Sequence, residues 1–430
     1  MNKVSIRSGF SFLIVALLFA AYAHAQNAEP LPGVPLTQWL GGADRRDFDW
    51  KVQLRGPWLT FQQRYVAQVR MVVSIRNLKR AGISLPDLHL VVKVANEEGH
   101  WFPGQDYSRF DPAADIGKAS EIFFFAYFYV QPGKYTIAAM AYDSRNRRGN
   151  LTKIQLQVPV PQNDPLPEVN RNFPQIEFAS SETEVKAWTS QRIDWTAEQT
   201  RLFLPVENVR PIQLDIVTNL SLSDAWNTPY GQAPDWVYQT NAGLLLQMSK
   251  VLTQLDLKRG CVRFSAVDIL RQTAFADRVP SADINWNKLT RTVASVQRNK
   301  IDVRVLKRQK VTPALFARFL EQASAGAASC EQPSQKALHI LIVVSDAFVF
   351  PTKTEMTAVR PELFPDGSYY FLQVNPARGA HWDQMERVLR PLHPTRLEFS
   401  NAVQFRKVLA QLIASIESVS RESGTSPAGP

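Results

Sequence analysis

The pattern of apolar and polar residues divides the chain into two parts with different textures. Over residues 48–160, short apolar runs with partial alternation follow one another, and no helical stripe separates them. These runs are rich in β-branched and aromatic residues, which is typical of strands. The predicted strands are 68–75, 89–94, 122–130, 135–142 and 151–158. This regular spacing predicts an antiparallel β-sandwich.

From about residue 209 the apolar runs alternate with helical stripes. Residues 211–224 and 338–347 are two segments that each begin with an apolar run rich in Ile or Val and continue into small polar residues. Such runs indicate strands that are buried on both faces of a parallel sheet. Further strands are predicted at 262–267, 301–306, 369–374 and 396–399, and helices at 236–257, 288–298, from 312 onward and at 401–418. The alternation predicts a doubly wound α/β domain over residues 209–418.

Three further segments are predicted from composition. Residues 1–25 have the basic start, short apolar run and small-x-small cleavage pattern of a secretory signal peptide. Residues 161–208 form a Pro-rich linker and connecting segment, which we expect to be stiff and extended where the prolines cluster. Residues 419–430 are small and polar, and we expect them to be disordered.

The signal peptide predicts a secreted or periplasmic protein. No other stretch is apolar and long enough to cross a bilayer, so we expect no membrane span after cleavage. In an oxidising compartment an even number of cysteines favours a disulfide, and the chain has two, Cys261 and Cys330. Each precedes a predicted strand of the parallel sheet. Both would therefore lie at the same edge of that sheet, and we predict that they form a disulfide.

Charge narrows the choice of partners only slightly. The 430 residues carry a net charge of +10, which would suit nucleic acid, anionic lipid or acidic glycan. However, the Lys and Arg residues are scattered along the chain, with short clusters only at 145–148 and 307–310. We therefore expect them to lie in solvated loops and at strand ends, and we expect no nucleic-acid partner.

Candidate binding chemistry lies at two strand ends. Asn219, Ser221 and Ser223 close the first apolar run of the α/β domain, and Asp346 closes the run that begins at residue 338. In an open doubly wound sheet the ligand crevice lies beyond the carboxyl ends of the strands, where the strand order reverses. We therefore expect these four side chains to lie beside that crevice.

On these motifs the second half resembles a von Willebrand factor type A domain. The plan of signal peptide, immunoglobulin-like β-sandwich and divergent A domain is similar to exported A-domain-related proteins common in acidobacteria. In that family the first strand ends in Asp-x-Ser-x-Ser and a later strand ends in Asp. With a distant Thr, these residues hold a divalent ion, and a ligand carboxylate completes its coordination shell. The resemblance implies that Asn219, Ser221, Ser223 and Asp346 form a degenerate version of this metal-ion-dependent adhesion site.

The departures from the family motif weaken the predicted metal site. Asn219 replaces the leading Asp, and the region expected to supply the Thr, 278–290, offers only Ser281, Asp283 and Thr290. The residues that still match the motif as metal ligands are Ser221, Ser223 and Asp346. Mg²⁺ requires oxygen ligands in a near-ideal octahedron and loses its waters reluctantly. We therefore expect no cofactor and at most weak Mg²⁺ binding.

The sequence contains no common enzyme signature. It lacks the Gly-x-Ser-x-Gly elbow, a phosphate-binding glycine loop and the His-Glu-x-x-His motif. We therefore expect a non-catalytic binding or adhesion-type protein that recognises a protein or cell-envelope ligand through the divergent A domain. The alternative is a cell-envelope hydrolase with an active site that these motifs do not reveal.

Overall fold

The computed structural model describes most of both predicted units. It covers residues 35–104, 106–109, 121–179, 200–221, 235–296, 311–325, 337–348, 350, 356–363, 367–374 and 384–422. At 106–109, 235–240, 323–325 and 422 it describes the backbone alone. The predicted signal peptide and the predicted strand 301–306 lie outside these residues.

The first unit consists of two antiparallel sheets. Its strands are β1 (Arg45–Arg46), β2 (Trp50–Leu59), β3 (Tyr65–Ser74), β4 (Leu88–Asn96), β5 (Asp106–Arg109), β6 (Glu121–Val130), β7 (Gly133–Asp143), β8 (Arg148–Val158) and β9 (Ile176–Phe178). One sheet has the order β1-β8-β7-β4-β5, and the other has the order β2-β3-β6-β9. Short helices α1 (Leu36–Leu40) and α2 (Ile75–Arg80) precede β1 and follow β3.

Alternation along the strands builds one core between the two sheets. Met71 of β3 and Phe124 of β6 pack in the same cluster as Leu90 of β4, so both sheets contribute to it. The aromatic run 122–130 is divided between two faces, because alternate strand residues point in opposite directions. Phe128 is fully buried, whereas Phe123 is 46% exposed on the outer face of its sheet.

The second unit is a mixed α/β structure. Its strands are β10 (Pro205–Val206), β11 (Ile212–Asn219), β12 (Asp256–Leu257), β13 (Gly260–Asp268), β14 (Thr273–Pro280), β15 (Leu338–Asp346), β16 (Ser368–Val374) and β17 (Thr395–Phe399). Its helices are α3 (Asp235–Leu252), α4 (Trp286–Ala294), α5 (Thr312–Ala325), α6 (Met385–Leu389) and α7 (Ala402–Glu422). Six of the strands form one sheet, and β10 pairs with β12 separately.

The six-stranded sheet has the order β14-β13-β11-β15-β16-β17. Five strands are parallel, and only the edge strand β14 is antiparallel to its neighbour β13. Counted along the chain from β11, this is the doubly wound order 3-2-1-4-5-6. The order reverses between β11 and β15, which are therefore the strands expected to flank a ligand crevice.

Helices cover both faces of this sheet. On one face, apolar side chains of β11, β13, β15 and β16 pack with α3, α4 and α7. On the other face, Val217, Leu341 and Phe371 pack with α5 and α6. Each central strand is thus buried on both sides, which is why its sequence is nearly continuously apolar.

Three elements differ from the sequence predictions. The helix predicted over 236–257 ends at Leu252, and Asp256–Leu257 instead pairs as β12 with β10. The last helix continues to Glu422, so residues 419–422 belong to it and not to a disordered tail. Strand β14 was not predicted, because none of its side chains is buried and its sequence shows no apolar alternation.

The Pro-rich segment after β8 is packed between the two units. We expected an extended linker here, but Val169 and Phe173 are buried in the core of the α/β unit. Asp164 forms an ion pair with Arg406 of α7, at 2.7 Å and 2.5 Å between their side-chain atoms. Prolines stiffen this segment, but its apolar side chains are spaced so that they reach the core of the α/β unit.

Candidate functional site

Polar side chains from β11 and β15 meet where the strand order reverses. Asn219, the last residue of β11, donates a hydrogen bond from Nδ2 to Oγ of Ser345 at 3.0 Å. Ser345 Oγ donates in turn to the backbone oxygen of Asp346 at 2.7 Å. All three residues are buried. The carboxyl ends of the two central strands are therefore joined by side-chain hydrogen bonds.

Ser221 extends this network to the next strand. The backbone N–H of Ser221 donates to Asn219 Oδ1 at 3.0 Å. This bond from the backbone two residues later to the Asn side chain stabilises a turn, as is common for Asn in loops. Ser221 Oγ donates to Oδ1 of Asp268, the last residue of β13, at 3.0 Å. The same hydroxyl accepts from the backbone N–H of Leu270 at 3.2 Å.

Asp268 and Arg271 belong to the same polar cluster, although the sequence motifs did not predict them. Asp268 Oδ2 accepts from Nη1 of Arg271 at 2.6 Å, and Oδ1 accepts from the backbone N–H of Arg271 at 3.0 Å. Asp268 is fully buried, and the Arg271 side chain is 13% exposed. A signal for Asp268 was present, because it closes the apolar run of β13 as Asp346 closes that of β15.

The structure brings Asn219, Ser221 and Asp346 to one edge of the sheet, as the sequence predicted. Asp346 is buried, and its Oδ1 accepts from the backbone N–H of Ala347 at 2.8 Å. Ser223, the fourth predicted residue, lies outside the described residues.

The candidates for the distant Thr lie elsewhere. Strand β14 runs away from the carboxyl edge, from Thr273 opposite Asp268 to Pro280 opposite Arg263. Ser281 and Asp283 follow its far end, and Thr290 lies in α4. The antiparallel direction of β14 therefore carries the 278–290 region away from the predicted metal ligands.

Two of the residues predicted for the adhesion site already have hydrogen-bond partners within the protein. The Asn219 amide and the Ser221 hydroxyl are both engaged in hydrogen bonds within the protein. The carboxylate of Asp268 is already paired with the guanidinium of Arg271, which carries the positive charge that an ion would bring. Among the residues that the structure describes, no group of three or more His, Cys, Asp or Glu side chains has the arrangement of a metal site.

A second polar cluster lies in the amino half of the same sheet. Asp215 of β11 accepts two hydrogen bonds from Arg263 of β13, both at 2.7 Å, and lies 2.7 Å from Nε2 of His339 at the start of β15. Gln213 also donates to Asp215, at 3.1 Å. The alternation of β11 places this cluster on the sheet face that α5 and α6 cover.

The environment of Asp215 favours its ionised form. Burial raises the pKa of this carboxyl, but hydrogen bonds from His339 and Arg263 and the charge of Arg263 lower it by more. The net pKa is below the ordinary value for an aspartate. Asp215 is therefore a structural anion that connects three adjacent strands. It lies too near the amino end of β11 to belong to the carboxyl edge.

The predicted disulfide is only half described. Cys261 is the second residue of β13, at the amino end of the parallel sheet, where the sequence placed it. The described residues contain no free cysteine. Its predicted partner, Cys330, lies outside them, so the Cys261–Cys330 bridge stays a prediction.

Comparisons with known proteins assign no family. Neither a protein-family model nor a curated protein sequence matches the chain. In the part of the chain that the structure describes, no helix is long and apolar enough to cross a membrane.

Proposed function

We propose that this chain is an exported, non-catalytic binding protein that recognises a protein or cell-envelope component at the carboxyl edge of its α/β unit. In this proposal the α/β unit is a divergent von Willebrand factor A-like domain, and the sandwich is immunoglobulin-like. The strand order and the position of Asn219, Ser221 and Asp346 where that order reverses support the assignment.

One observation carries the proposal. At the edge where an A domain would hold its ion, Ser221 binds Asp268 and Asp268 binds Arg271. The guanidinium of Arg271 thus neutralises the carboxylate of Asp268, which lies beside the predicted ligand Ser221. Recognition at this edge is then metal-independent and uses ordinary polar and apolar contacts, as most protein interfaces do.

The hydrolase alternative finds less support. His339 and Asp215 are 2.7 Å apart, as are the histidine and carboxylate of a hydrolase triad. However, Arg263 binds both oxygens of the same carboxylate, and the cluster is in the amino half of the sheet, far from the crevice. The pair is better explained as part of a structural ion cluster.

Calorimetric titration with Mg²⁺ and Mn²⁺ tests metal independence directly. We expect no binding to the mature chain up to millimolar concentrations, since hydrated Mg²⁺ would have to compete with Arg271 for Asp268. A micromolar dissociation constant that Asp346→Ala abolishes would contradict the proposal and restore an ion-dependent mechanism.

Retention of an envelope ligand tests the binding role itself. The immobilised mature chain should retain a component of envelope extract equally with and without a chelator. Asn219→Ala and Ser221→Ala should reduce retention, whereas Ser295→Ala, on an exposed residue just after α4, should not. Release of the component by the chelator would contradict metal independence.

A further inference from the structure

The outer face of the sheet β2-β3-β6-β9 carries aromatic rings and cations in ordered rows. Three consecutive rows across β2, β3 and β6 follow from the strand register. They are Lys51–Val72–Phe123, Gln53–Arg70–Phe125 and Arg55–Gln68–Tyr127. We call these nine residues the aromatic–basic face. Each row has an aromatic ring on β6, and each contains one basic residue.

The rings of the aromatic–basic face are accessible. Phe123 is 46% exposed, and Trp58, which lies on β2 outside the three rows, is 40% exposed. Phe125 and Tyr127 are partly exposed. Phe123, Phe125 and Tyr127 follow one another on the same face of β6, and contiguous exposed rings mark an interaction site more often than single ones do.

The cations of this face have no acidic partner among the described residues. Arg70 lies over the rings of Phe123 and Phe125, at 4.9 Å and 6.0 Å from their centroids. Its Nε is buried and makes no hydrogen bond with any described group. Lys51 and Arg55 are exposed on the edge strand β2. Two acids lie outside the three rows: Glu121 is the first residue of β6, and Glu177 is paired with Arg64 at 2.7 Å.

We propose that the aromatic–basic face binds an acidic polysaccharide, that is, a sugar chain with uronic carboxylates. Pyranose rings present flat C–H faces that pack on aromatic rings, and their carboxylates would pair with Arg70, Arg55 and Lys51. The rows are about 7 Å apart along the strands, and β2 lies about 10 Å from β6, so an extended chain would meet rings and cations together.

The charge density of the face favours a glycan over a nucleic acid. Non-specific binding of nucleic acid depends on many contacts between basic side chains and phosphates. The aromatic–basic face has only three cations, which are too few to neutralise the phosphates of a bound strand. Predicted export also places the face where envelope polysaccharides occur. The proposal is independent of the carboxyl edge of the α/β unit.

Isothermal titration of the mature chain with an oligogalacturonate, and with a neutral oligogalactan of equal length, tests the proposal. We expect binding of the oligogalacturonate that weakens with added salt, and no binding of the oligogalactan. Arg70→Gln should weaken binding about tenfold, because a charge-assisted hydrogen bond is lost. Phe123→Ala should cause a comparable loss.

Matched variants separate this face from general charge and from the other site. Lys79→Gln on α2 and Leu363→Ala remove an exposed cation and an exposed apolar side chain elsewhere, and neither should alter binding. Arg271→Gln should bind the oligogalacturonate like the unaltered chain. Thermal melting of each variant checks that the fold is kept.

Four results would overturn the proposal. These are equal binding of the neutral oligogalactan, tighter binding of oligothymidylate or polyglutamate, no binding of the oligogalacturonate at millimolar concentration, or unchanged affinity in both Arg70→Gln and Phe123→Ala.

Discussion

At the residue scale, a single amide determines how the carboxyl edge is connected. Asn219 accepts through Oδ1 from Ser221 and donates through Nδ2 to Ser345, whose own hydrogen is directed to the backbone of Asp346. An aspartate at 219 could only accept hydrogen bonds, so its second oxygen would either face the lone pairs of Ser345 Oγ or take the Ser345 hydrogen from the backbone of Asp346. The observed network therefore suits Asn, whereas an ion would suit Asp.

Restoring the acid and removing the internal cation should create a metal site. In the double variant Asn219→Asp with Arg271→Gln, the carboxylates of residues 219, 268 and 346 would lie at one edge without Arg271. We expect Mg²⁺ binding with a submillimolar dissociation constant by calorimetry, because net negative charge favours dehydration of the ion. Arg278→Gln, which removes an exposed arginine paired with Asp277, should bind none.

Asp215 provides a prediction on stability. Asp215→Asn should lower the free energy of unfolding by about 3–5 kcal/mol, because it leaves the buried Arg263 without its counter-charge. Asp277→Asn, whose pair with Arg278 is exposed, should cost less than about 1 kcal/mol. Denaturant unfolding at pH 7 measures both losses, and equal effects of the two variants would contradict the role of the cluster.

The same carboxylate predicts a dependence on pH. Its pKa is lower in the folded protein than the value of about 3.9 in an unfolded chain. Its stabilising contribution is therefore fully present above about pH 4 and is lost as the pH falls through the folded pKa. Below pH 4 the unaltered chain should lose stability more steeply than Asp215→Asn, and parallel curves would exclude the effect.

How much of the site was predictable depended on where its residues lie. Asn219, Ser221 and Asp346 were found because they close apolar strands, and parallel strands end at one edge. Asp268 has the same position on β13, but the motif of the family that the α/β unit resembles does not include it, so that motif does not predict it. Arg271 could not be predicted, because its contact with Asp268 depends on the turn between β13 and β14.

At the element scale, Gly260 is required for the start of β13. It has a φ of +125°, and a Cβ there would lie 1.9 Å from the backbone oxygen of Ile212 on the paired strand β11. Gly99 also has a positive φ, +81°, but a Cβ there would meet nothing within 4 Å. An alanine at 99 would therefore meet only the free-energy cost of the backbone conformation, whereas an alanine at 260 would also meet the cost of a steric clash.

Gly260→Ala should destabilise the protein several times more than Gly99→Ala. For Gly99→Ala we expect a loss of about 1–2 kcal/mol, which is the cost of a left-handed conformation for a residue with a Cβ. For Gly260→Ala the loss also includes the displacement of β11 from β13, and we expect little soluble protein to accumulate. Denaturant midpoints and soluble yield measure the difference, and similar values for both variants would contradict the argument.

The elements that the sequence predicted well are those with one dominant pattern. Strands β11, β13, β15 and β16 are buried on both faces, and their apolar runs alone identify them. The short strands β10 and β12 and the exposed edge strand β14 have no such pattern. These strands form because they pair with neighbouring strands, and that pairing cannot be predicted from one sequence alone.

At the scale of the whole molecule, the sequence predicted two units but not how they are joined. Phe61, in the turn between β2 and β3, packs on the rings of Phe399 and Phe405, with centroids 6.3 Å and 6.0 Å apart. Arg64 is stacked between Tyr129 and Phe173, at 4.0 Å and 4.1 Å from their ring centroids. Side chains of both units and of the segment between them therefore share one interface.

This interface predicts that the segment between the units resists proteolysis. Arg171 is a tryptic site within the described part of this segment, and the exposed turn between β7 and β8 offers Arg145 as a reference site. In the native chain we expect trypsin to cut after Arg171 more slowly than after Arg145, because Val169 and Phe173 on either side are buried. Mass spectrometry of the early fragments measures both rates.

Weakening the interface should reverse that order. Phe61→Ala with Arg406→Ala removes the aromatic contact and leaves the Asp164 carboxylate, whose side chain is 8% exposed, without its counter-charge, at a cost on the order of 3 kcal/mol or more. We expect cleavage after Arg171 to become at least as fast as after Arg145, and calorimetry to resolve two unfolding transitions in place of one. Val403→Ala with Arg421→Ala changes exposed residues on the same helix, α7, and should leave both measurements unaltered. If the unaltered chain were already cut after Arg171 as fast as after Arg145, the two units would be joined by an open linker, as the prolines alone had suggested.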